Sequence, residues 1–139
     1  RALEIGIGTG LATMPFLKTG CNITAIEIGD KLAQFSRDKF AEHINVEVVN
    51  QDFESVSLDE NSYELIYSAS AFHWIPQETG LPKVYVLLKN GGVFAWFISR
   101  EIQKVYNKHT IFFREKTPLS NYQFWQQQAR KNVWTGLRH

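Results

Sequence analysis

Three glycines, Gly6, Gly8 and Gly10, occupy alternate positions directly after the short apolar run at residues 2–5. Glycine inside a regular element costs stability, so this spacing indicates a loop whose backbone is approached closely by another group. In a parallel sheet, a buried strand that leads through a glycine loop into a helix places that loop at a ligand-binding edge. The opening residues therefore favour an α/β fold with a ligand beside the loop.

Short apolar strands alternate with helical stretches over the first hundred residues. Strands are predicted at residues 2–5, 21–28, 46–50, 63–70 and 93–99. Helices are predicted after the glycine loop, over 31–41 with Asp30 as N-cap, and over 82–90 with Gly91 just past the end. The second helix is expected to bury Leu32, Phe35, Ser36 and Phe40.

This alternation predicts a Rossmann-like, mostly parallel sheet with helices on both faces, in which five strands are readable. Beyond residue 100 the pattern changes, and residues 101–116 and 120–132 are predicted to be helical. We therefore expect a core over residues 1–100. Residues 101–139 are expected to form a helical, aromatic-rich extension that is either part of a substrate cap or an incomplete domain end.

Composition excludes several classes of partner. The formal net charge is +1, which gives no field that would attract nucleic acid or an anionic membrane. No apolar run approaches the roughly 20 residues of a membrane span. Cys21 is the only cysteine, so an intramolecular disulfide is impossible and a cytoplasmic location is expected.

Two carboxylates follow predicted strands. Glu27 ends the second strand, where it can accept hydrogen bonds from ribose hydroxyls, unless it is simply a solvated strand-end acid. Asp52 follows the third strand, where it can accept from an adenine amino group beside the apolar wall of Phe53, unless it caps a turn. The glycine spacing differs from the Gly-x-Gly-x-x-Gly of dinucleotide binders, and Glu4 before it favours a ligand with an amino group.

Together these segments resemble the class I S-adenosylmethionine-dependent methyltransferases. The stretch "LEIGIGTG" is similar to motif I of that family, and "YELIYSASAFHWI" is similar to its fourth strand and the following segment. The stretch "LLKNGGVFAWF" is similar to its "LKPGG" region, so the resemblance covers about residues 2–98. The "AFHW" variant looks most like the small-molecule enzymes of the trans-aconitate and ubiquinone/menaquinone types.

The resemblance implies S-adenosylmethionine as cofactor and methyl transfer to a small-molecule acceptor, whose nucleophilic atom the sequence does not name. It implies that the methionine part of the cofactor lies on bare backbone and that Glu4 helps to hold the loop and the amino end. The implied cofactor contacts are Glu4, Gly6, Gly8, Gly10, Glu27, Ile28, Asp52, Phe53 and Ser68.

The resemblance also implies seven strands and helices before the first strand. The chain starts at Arg1, directly before an apolar strand, and the final hairpin of the family is not recognisable in residues 101–139. We therefore expect that sequence is missing at both ends or that the ends have diverged. A non-catalytic, methyltransferase-like binding module is the alternative function, and a nicotinamide-binding domain is disfavoured by the glycine spacing.

Methyl transfer from a sulfonium needs little acid–base help, so no catalytic dyad is required. His73 follows the fourth strand and is the candidate general base; alternatively it packs or caps beside Trp74. The other histidines have no metal-ligand spacing, and no metal is expected.

Overall fold

The structure, a computed structural model, describes residues 1–99 and 109–115. Within these residues the elements occur in the order β1 (Ala2–Ile5), α1 (Thr13–Leu17), β2 (Ile23–Ile26), α2 (Asp30–Lys39), β3 (Val46–Val49), β4 (Tyr63–Ala69), a 3-10 helix (Phe72–Trp74), α3 (Gln77–Leu87), β5 (Leu88–Ser99) and β6 (His109–Glu115). None of the helices in this described part is long and apolar enough to cross a membrane.

The strands form one sheet in the order β3-β2-β1-β4-β5-β6. Strands β1 to β5 run parallel, with Leu3 of β1 beside Thr24 of β2 on one side and Ile66 of β4 on the other. Successive strands are added in one direction from β1 to β3 and in the other direction from β4 onward. This arrangement confirms the predicted Rossmann-like fold and places its topological switch point between β1 and β4.

Apolar clusters cover both faces of the sheet. One cluster, which includes Leu3, Ile5 and Ile26, packs against the inner side of α3. The other includes Ala2 and Ala25 and packs against α1 and the end of α2. The alternation of side chains along a strand sends neighbouring residues to opposite faces, so both faces of these short apolar strands are buried.

Helix α2 buries a narrower face than predicted. Its buried line follows Ala33, Ser36 and Phe40 at helical spacing. Leu32 and Phe35, which are predicted to face inward, are instead 41% and 51% exposed. The prediction of burial is therefore confirmed for Ser36 and Phe40 and wrong for Leu32 and Phe35.

Two helices begin earlier than predicted. Helix α2 starts at Asp30, which is predicted to precede it as the N-cap. Helix α3 starts before Pro82, the residue at which the sequence predicts its beginning, and ends at Leu87. The next residue, Leu88, already pairs with Tyr63 of β4, so strand pairing ends the helix before the predicted last turn.

The helical prediction for residues 101–116 is wrong over residues 109–115, because these form β6. This strand pairs antiparallel with β5, with Ala95 opposite Phe113. The sheet therefore continues past the predicted core boundary at residue 100. The helix predicted at 120–132, and the rest of the extension, lie outside the described residues.

Candidate functional site

A cavity of about 510 Å³ opens at the carboxyl ends of β1 to β4, where the topological switch point lies. Loops after neighbouring strands diverge at such a point, which leaves a crevice for a ligand. The lining residues come from the ends of all four strands and from the segments that follow: Ile5, Gly6, Gly8, Ile26, Glu27, Ile28, Leu32, Gln51, Asp52, Phe53, Glu54, Ala69, Ser70, Ala71, Trp74 and Ile75.

The three glycines of the loop have different roles, although all have positive φ angles. A Cβ on Gly6 would collide with the Cβ of Ala71, and a Cβ on Gly10 would collide with the ring of Phe40. A Cβ on Gly8 would meet nothing within 4 Å, and Gly8 lines the cavity. Gly8 thus leaves open space for a ligand, whereas Gly10, a predicted cofactor contact, lies outside the lining because Phe40 occupies that side.

Helix α2 fixes the glycine loop through two hydrogen bonds. The buried Ser36 hydroxyl donates to the carbonyl oxygen of Gly8 at 2.6 Å. The Lys39 ammonium donates to the carbonyl oxygen of Thr9 at 2.7 Å. These bonds satisfy loop carbonyls that lie outside any strand ladder, so the loop has a defined shape before a ligand arrives.

The carboxylate of Glu27 is buried at the cavity wall, with 6% exposure, so it is not a solvated strand-end acid. One oxygen accepts from the backbone N–H of Gly8 and the other from that of Gly29, both at 2.9 Å. A carboxylate oxygen can accept two hydrogen bonds, so each retains capacity toward the cavity. The contact with ribose hydroxyls stays a prediction that this geometry permits.

The two interpretations of Asp52 are compatible. Its Oδ1 accepts from the backbone N–H of Glu54 at 3.2 Å, which is the turn contact considered from the sequence. The half-buried side chain also lines the cavity beside Phe53, whose ring is 3% exposed. Asp52 therefore shapes the turn with one oxygen and also supplies a hydrogen-bond acceptor at the cavity, beside the aromatic ring of Phe53.

Glu4 lies beneath the loop and outside the cavity lining. Its side chain is fully buried, and its Oε2 accepts from the hydroxyls of Thr13 at 2.7 Å and Tyr67 at 2.8 Å. Its Oε1 has no hydrogen-bond partner within the described residues. Burial raises the pKa of Glu4 from its ordinary 4.5 to about 7, against the lowering effect of these two hydrogen bonds.

This geometry revises the interpretation of Glu4. The carboxyl joins β1 to α1 and β4, which agrees with a role in holding the loop. Glu4 is not among the lining residues. The reason is the alternation along β1, in which Ile5 faces the cavity and its neighbour faces the opposite layer. The hold of Glu4 on the amino end of a ligand, which the resemblance implies is often through water, therefore stays a prediction.

The sequence predicts both Ser68 and Ile28 as cofactor contacts, but only one of them lines the cavity. Ser68 is fully buried, donates to the carbonyl oxygen of Ile5 at 2.8 Å and accepts from the N–H of Phe72 at 3.0 Å. It supports the cavity wall from behind and does not line it. Ile28 is 71% exposed and does line the cavity.

Leu32 is a cavity residue that the sequence interpretation missed. It lies in the first turn of α2 and lines the cavity together with Ile28, which precedes the helix. The signal was present as apolar residues at helical spacing, but that spacing is equally typical of a buried face. Only the position of α2 relative to the sheet distinguishes a core stripe from a cavity wall.

His73 lies on the 3-10 helix that follows β4. Its imidazole is exposed, and its ring centroid is 4.8 Å from that of Trp74. Trp74 lines the cavity and is 81% exposed, whereas His73 is not among the lining residues. The histidine is therefore beside the cavity mouth, and its role as a base stays a prediction.

The chain is similar to known methyltransferases in sequence. The model of a family described as a methyltransferase domain matches residues 3–96. A curated relative, malonyl-[acyl-carrier protein] O-methyltransferase of Acetivibrio thermocellus, is 35% identical over 97 residues, which cover 68% of this chain and 34% of the relative.

Solved structures share the fold. A putative sarcosine dimethylglycine methyltransferase from Galdieria sulphuraria matches with a TM-score of 0.65 and 24% identity over 69% of this chain and 38% of that protein. Phosphoethanolamine N-methyltransferase 2 of Haemonchus contortus, solved with S-adenosyl-L-methionine, matches with a TM-score of 0.66 and 18% identity over 70% of this chain and 24% of that protein. This chain spans about a third of the length of the curated relatives it matches.

Proposed function

The chain belongs to the methyltransferase-domain family, the S-adenosylmethionine-dependent class predicted from its sequence, and on that premise we propose that it directs a methyl group to a small-molecule acceptor. The observation that carries the proposal is the cavity at the switch point. There the bare backbone of Gly8 lies beside the carboxylate of Glu27, and Asp52 follows at the end of the next strand.

The residues present fit S-adenosylmethionine. The open space above Gly8 accepts a group that any side chain would displace. Glu27 offers carboxylate oxygens to a pair of ribose hydroxyls, while Asp52 offers an acceptor to an adenine amino group. Phe53 and Ile28 add apolar walls for the purine. The charged lining residues are all acids, which suits a ligand that carries a sulfonium and an ammonium group.

When bound, S-adenosylmethionine supplies an electrophilic methyl group on a sulfur that leaves as a neutral thioether. The task of this chain is then chiefly positioning, which is worth a large part of such a barrier. The glycine loop and Glu27 are fixed by hydrogen bonds within the fold, so they hold one orientation of the ligand. Trp74 adds an exposed indole ring to the cavity lining, where it can contact an acceptor.

We assign His73 as the residue that accepts a proton from an oxygen or nitrogen acceptor. Its support is position, since it follows β4 at the carboxyl edge and stacks beside Trp74. An imidazole nitrogen can accept a proton from such an acceptor, which suits a general base.

A binding experiment on the full chain tests the proposal. Isothermal calorimetry is expected to detect S-adenosylhomocysteine and S-adenosylmethionine, with NAD much weaker. Gly8→Val is expected to abolish binding because its side chain fills the space for the ligand. Gly20→Val is the matched control, since Gly20 also has a positive φ and open surroundings but lies outside the lining. Tighter binding of NAD, or equal losses in both variants, would contradict the proposal.

A non-catalytic binding module is the second candidate. It is favoured by the composition of the cavity lining, which within the described residues contains no histidine, lysine or cysteine. Turnover distinguishes the two candidates. Formation of S-adenosylhomocysteine that depends on an added acceptor supports the enzyme, and tight cofactor binding with no turnover across a panel of oxygen, nitrogen and carbon acceptors supports the module.

The acceptor proposed here is a small molecule, and neither nucleic acid nor a membrane is part of the proposal. The curated relative acts on a malonyl group carried by an acyl carrier protein, so a carboxylate oxygen belongs in the acceptor panel. We also propose a cytoplasmic location, which the lone Cys21 supports because a reducing compartment needs no disulfide.

A further inference from the structure

Helix α3 contacts the segment after β3, residues 52–56, which we call the adenine-side loop. The ammonium of Lys83 donates to the carbonyl oxygen of Val56 at 2.6 Å and to that of Glu54 at 3.1 Å. The hydroxyl of Thr79 donates to the carboxylate of Glu54 at 2.8 Å. One helix therefore binds this loop at three acceptors, through two residues that do not line the cavity.

Within the described residues, the other hydrogen bonds of the loop's backbone stay inside the loop. Within it, the carbonyl oxygen of Asp52 accepts from the N–H groups of Ser55 and Val56, at 3.2 and 2.9 Å. These bonds fix the shape of the turn but not its position over the sheet. The position depends on the buried side chains of Phe53 and Val56, which belong to the core cluster, and on the contacts from α3.

Charge strengthens these contacts. The ammonium of Lys83 lies 5.2 Å from the ring centroid of Phe53, which is within range of a cation–π interaction. Burial lowers the pKa of Lys83, and the carboxylates of Asp52 and Glu54 oppose that effect. The half-buried cation thus interacts with the two residues predicted to contact the purine, although it is not itself a lining residue of their cavity.

We propose that Lys83 and Thr79 are positioning residues that hold the adenine-side loop, so that Asp52 and Phe53 discriminate a 6-aminopurine from a 6-oxopurine. The inference rests on the proposed function, because it assumes that the purine of the cofactor binds at this loop. Hydrogen bonds weaken steeply with misalignment, so a small displacement of Asp52 costs the amino-group contact first.

The test compares two ligands on the full chain. S-adenosylhomocysteine carries the 6-amino group, and S-inosylhomocysteine carries an oxo group in its place. The ratio of their dissociation constants measures discrimination, and loss of folded protein lowers both affinities without changing the ratio. The variants are Lys83→Met, which keeps the aliphatic stem, and Thr79→Val. Lys18→Met is the control, since Lys18 is exposed and lies outside both the loop contacts and the lining.

We expect Lys83→Met to lower the ratio by about tenfold, the scale for losing one hydrogen bond to a charged group, and Lys18→Met to leave it unchanged. Thr79→Val is expected to lower it by a smaller factor and keeps the test decisive if Lys83→Met does not fold. If Lys83→Met folds and its ratio is unchanged, the inference is overturned while the proposed function stands. If Lys83→Met does not fold, an unchanged ratio in Thr79→Val has the same meaning. Failure of the wild type to bind S-adenosylhomocysteine would overturn the proposed function as well.

Discussion

Replacing Glu4 by glutamine should remove a pH dependence of stability. The Glu4 carboxyl is fully buried, receives hydrogen bonds from Thr13 and Tyr67 on one oxygen, and has a pKa of about 7. Glutamine has the same shape, keeps an acceptor oxygen for both hydroxyls and stays neutral at every pH. The variant therefore removes the ionisation and little else.

The sign and size follow from the two pKa values. Because the pKa of Glu4 is higher in the folded state than the ordinary 4.5, the folded state binds the proton more tightly. The stabilisation is fully present below the unfolded pKa and is lost as the pH rises through about 7. At about 1.4 kcal/mol per pKa unit, the loss of unfolding free energy is about 3 kcal/mol.

Urea denaturation followed by circular dichroism measures the effect at pH 5, 6, 7 and 8. We expect the unfolding free energy of wild type to fall by about 2.5 kcal/mol relative to that of Glu4→Gln across this range, because pH 5 already lies above the unfolded pKa. The exposed Glu64 does not interfere, since Lys89 and the N-terminus hold its pKa at about 2 and its effect lies at lower pH. Glu42→Gln, at an exposed acid, is the control.

Glu4→Gln changes this one ionisable group and no other, so the difference between the two pH profiles isolates Glu4. Parallel profiles for wild type and Glu4→Gln would refute the reasoning. They would mean that Glu4 ionises in the folded protein as readily as in the unfolded chain, which requires water or another donor at its Oε1. A wild-type profile that rises relative to the variant would refute the sign.

Two further predictions concern the cavity. Glu27→Ala should weaken binding of S-adenosylhomocysteine by about 1.5–3 kcal/mol in calorimetry, because it removes hydrogen bonds to a charged acceptor; unchanged affinity would show that Glu27 only holds Gly8 and Gly29. His73→Ala should lower the turnover number by about 10²–10⁴ with cofactor affinity unchanged, and turnover close to that of wild type would exclude the base role.

The edge of the sheet that holds the cavity could be predicted from the sequence. Parallel strands end at a common edge, so an acid at the end of β2 and another after β3 must lie near the loop after β1. Glu27 and Asp52 line the cavity as that reasoning expects. The prediction needed only the order of apolar segments and the residues that follow them.

The face to which a strand residue points was harder to predict. Glu4 and Ser68 are near strand ends, like the lining residues, but both are buried behind the cavity wall. Period-two alternation along β1 indicates that Glu4 and Ile5 face opposite layers. Which layer carries the cavity depends on where α1 and α3 pack, and no local pattern contains that information.

Strand pairing shortens or replaces a predicted helix at two places. Leu88 and the residues after it have a helical composition, but Leu88 pairs with Tyr63, and Gly91 has its positive φ within β5 rather than after a helix. Residues 109–115 contain threonine, isoleucine and two phenylalanines, a composition typical of strands. The strand-like composition of residues 109–115 was therefore a signal that the helix prediction missed. That these residues pair with the edge of β5 is known only from the assembled sheet.

The pairing of β1 with β4 has a kinetic consequence. Ala2 pairs with Ile23 and also with Leu65, so one wall of the cavity comes from a local unit and the other from a distant segment. Closing the longer loop costs more chain entropy, and contacts across it are expected to form after the local ones. For a ligand that touches both walls, the binding site is incomplete until β4 has paired with β1. Such a ligand should therefore lower the unfolding rate of the chain far more than it raises the folding rate.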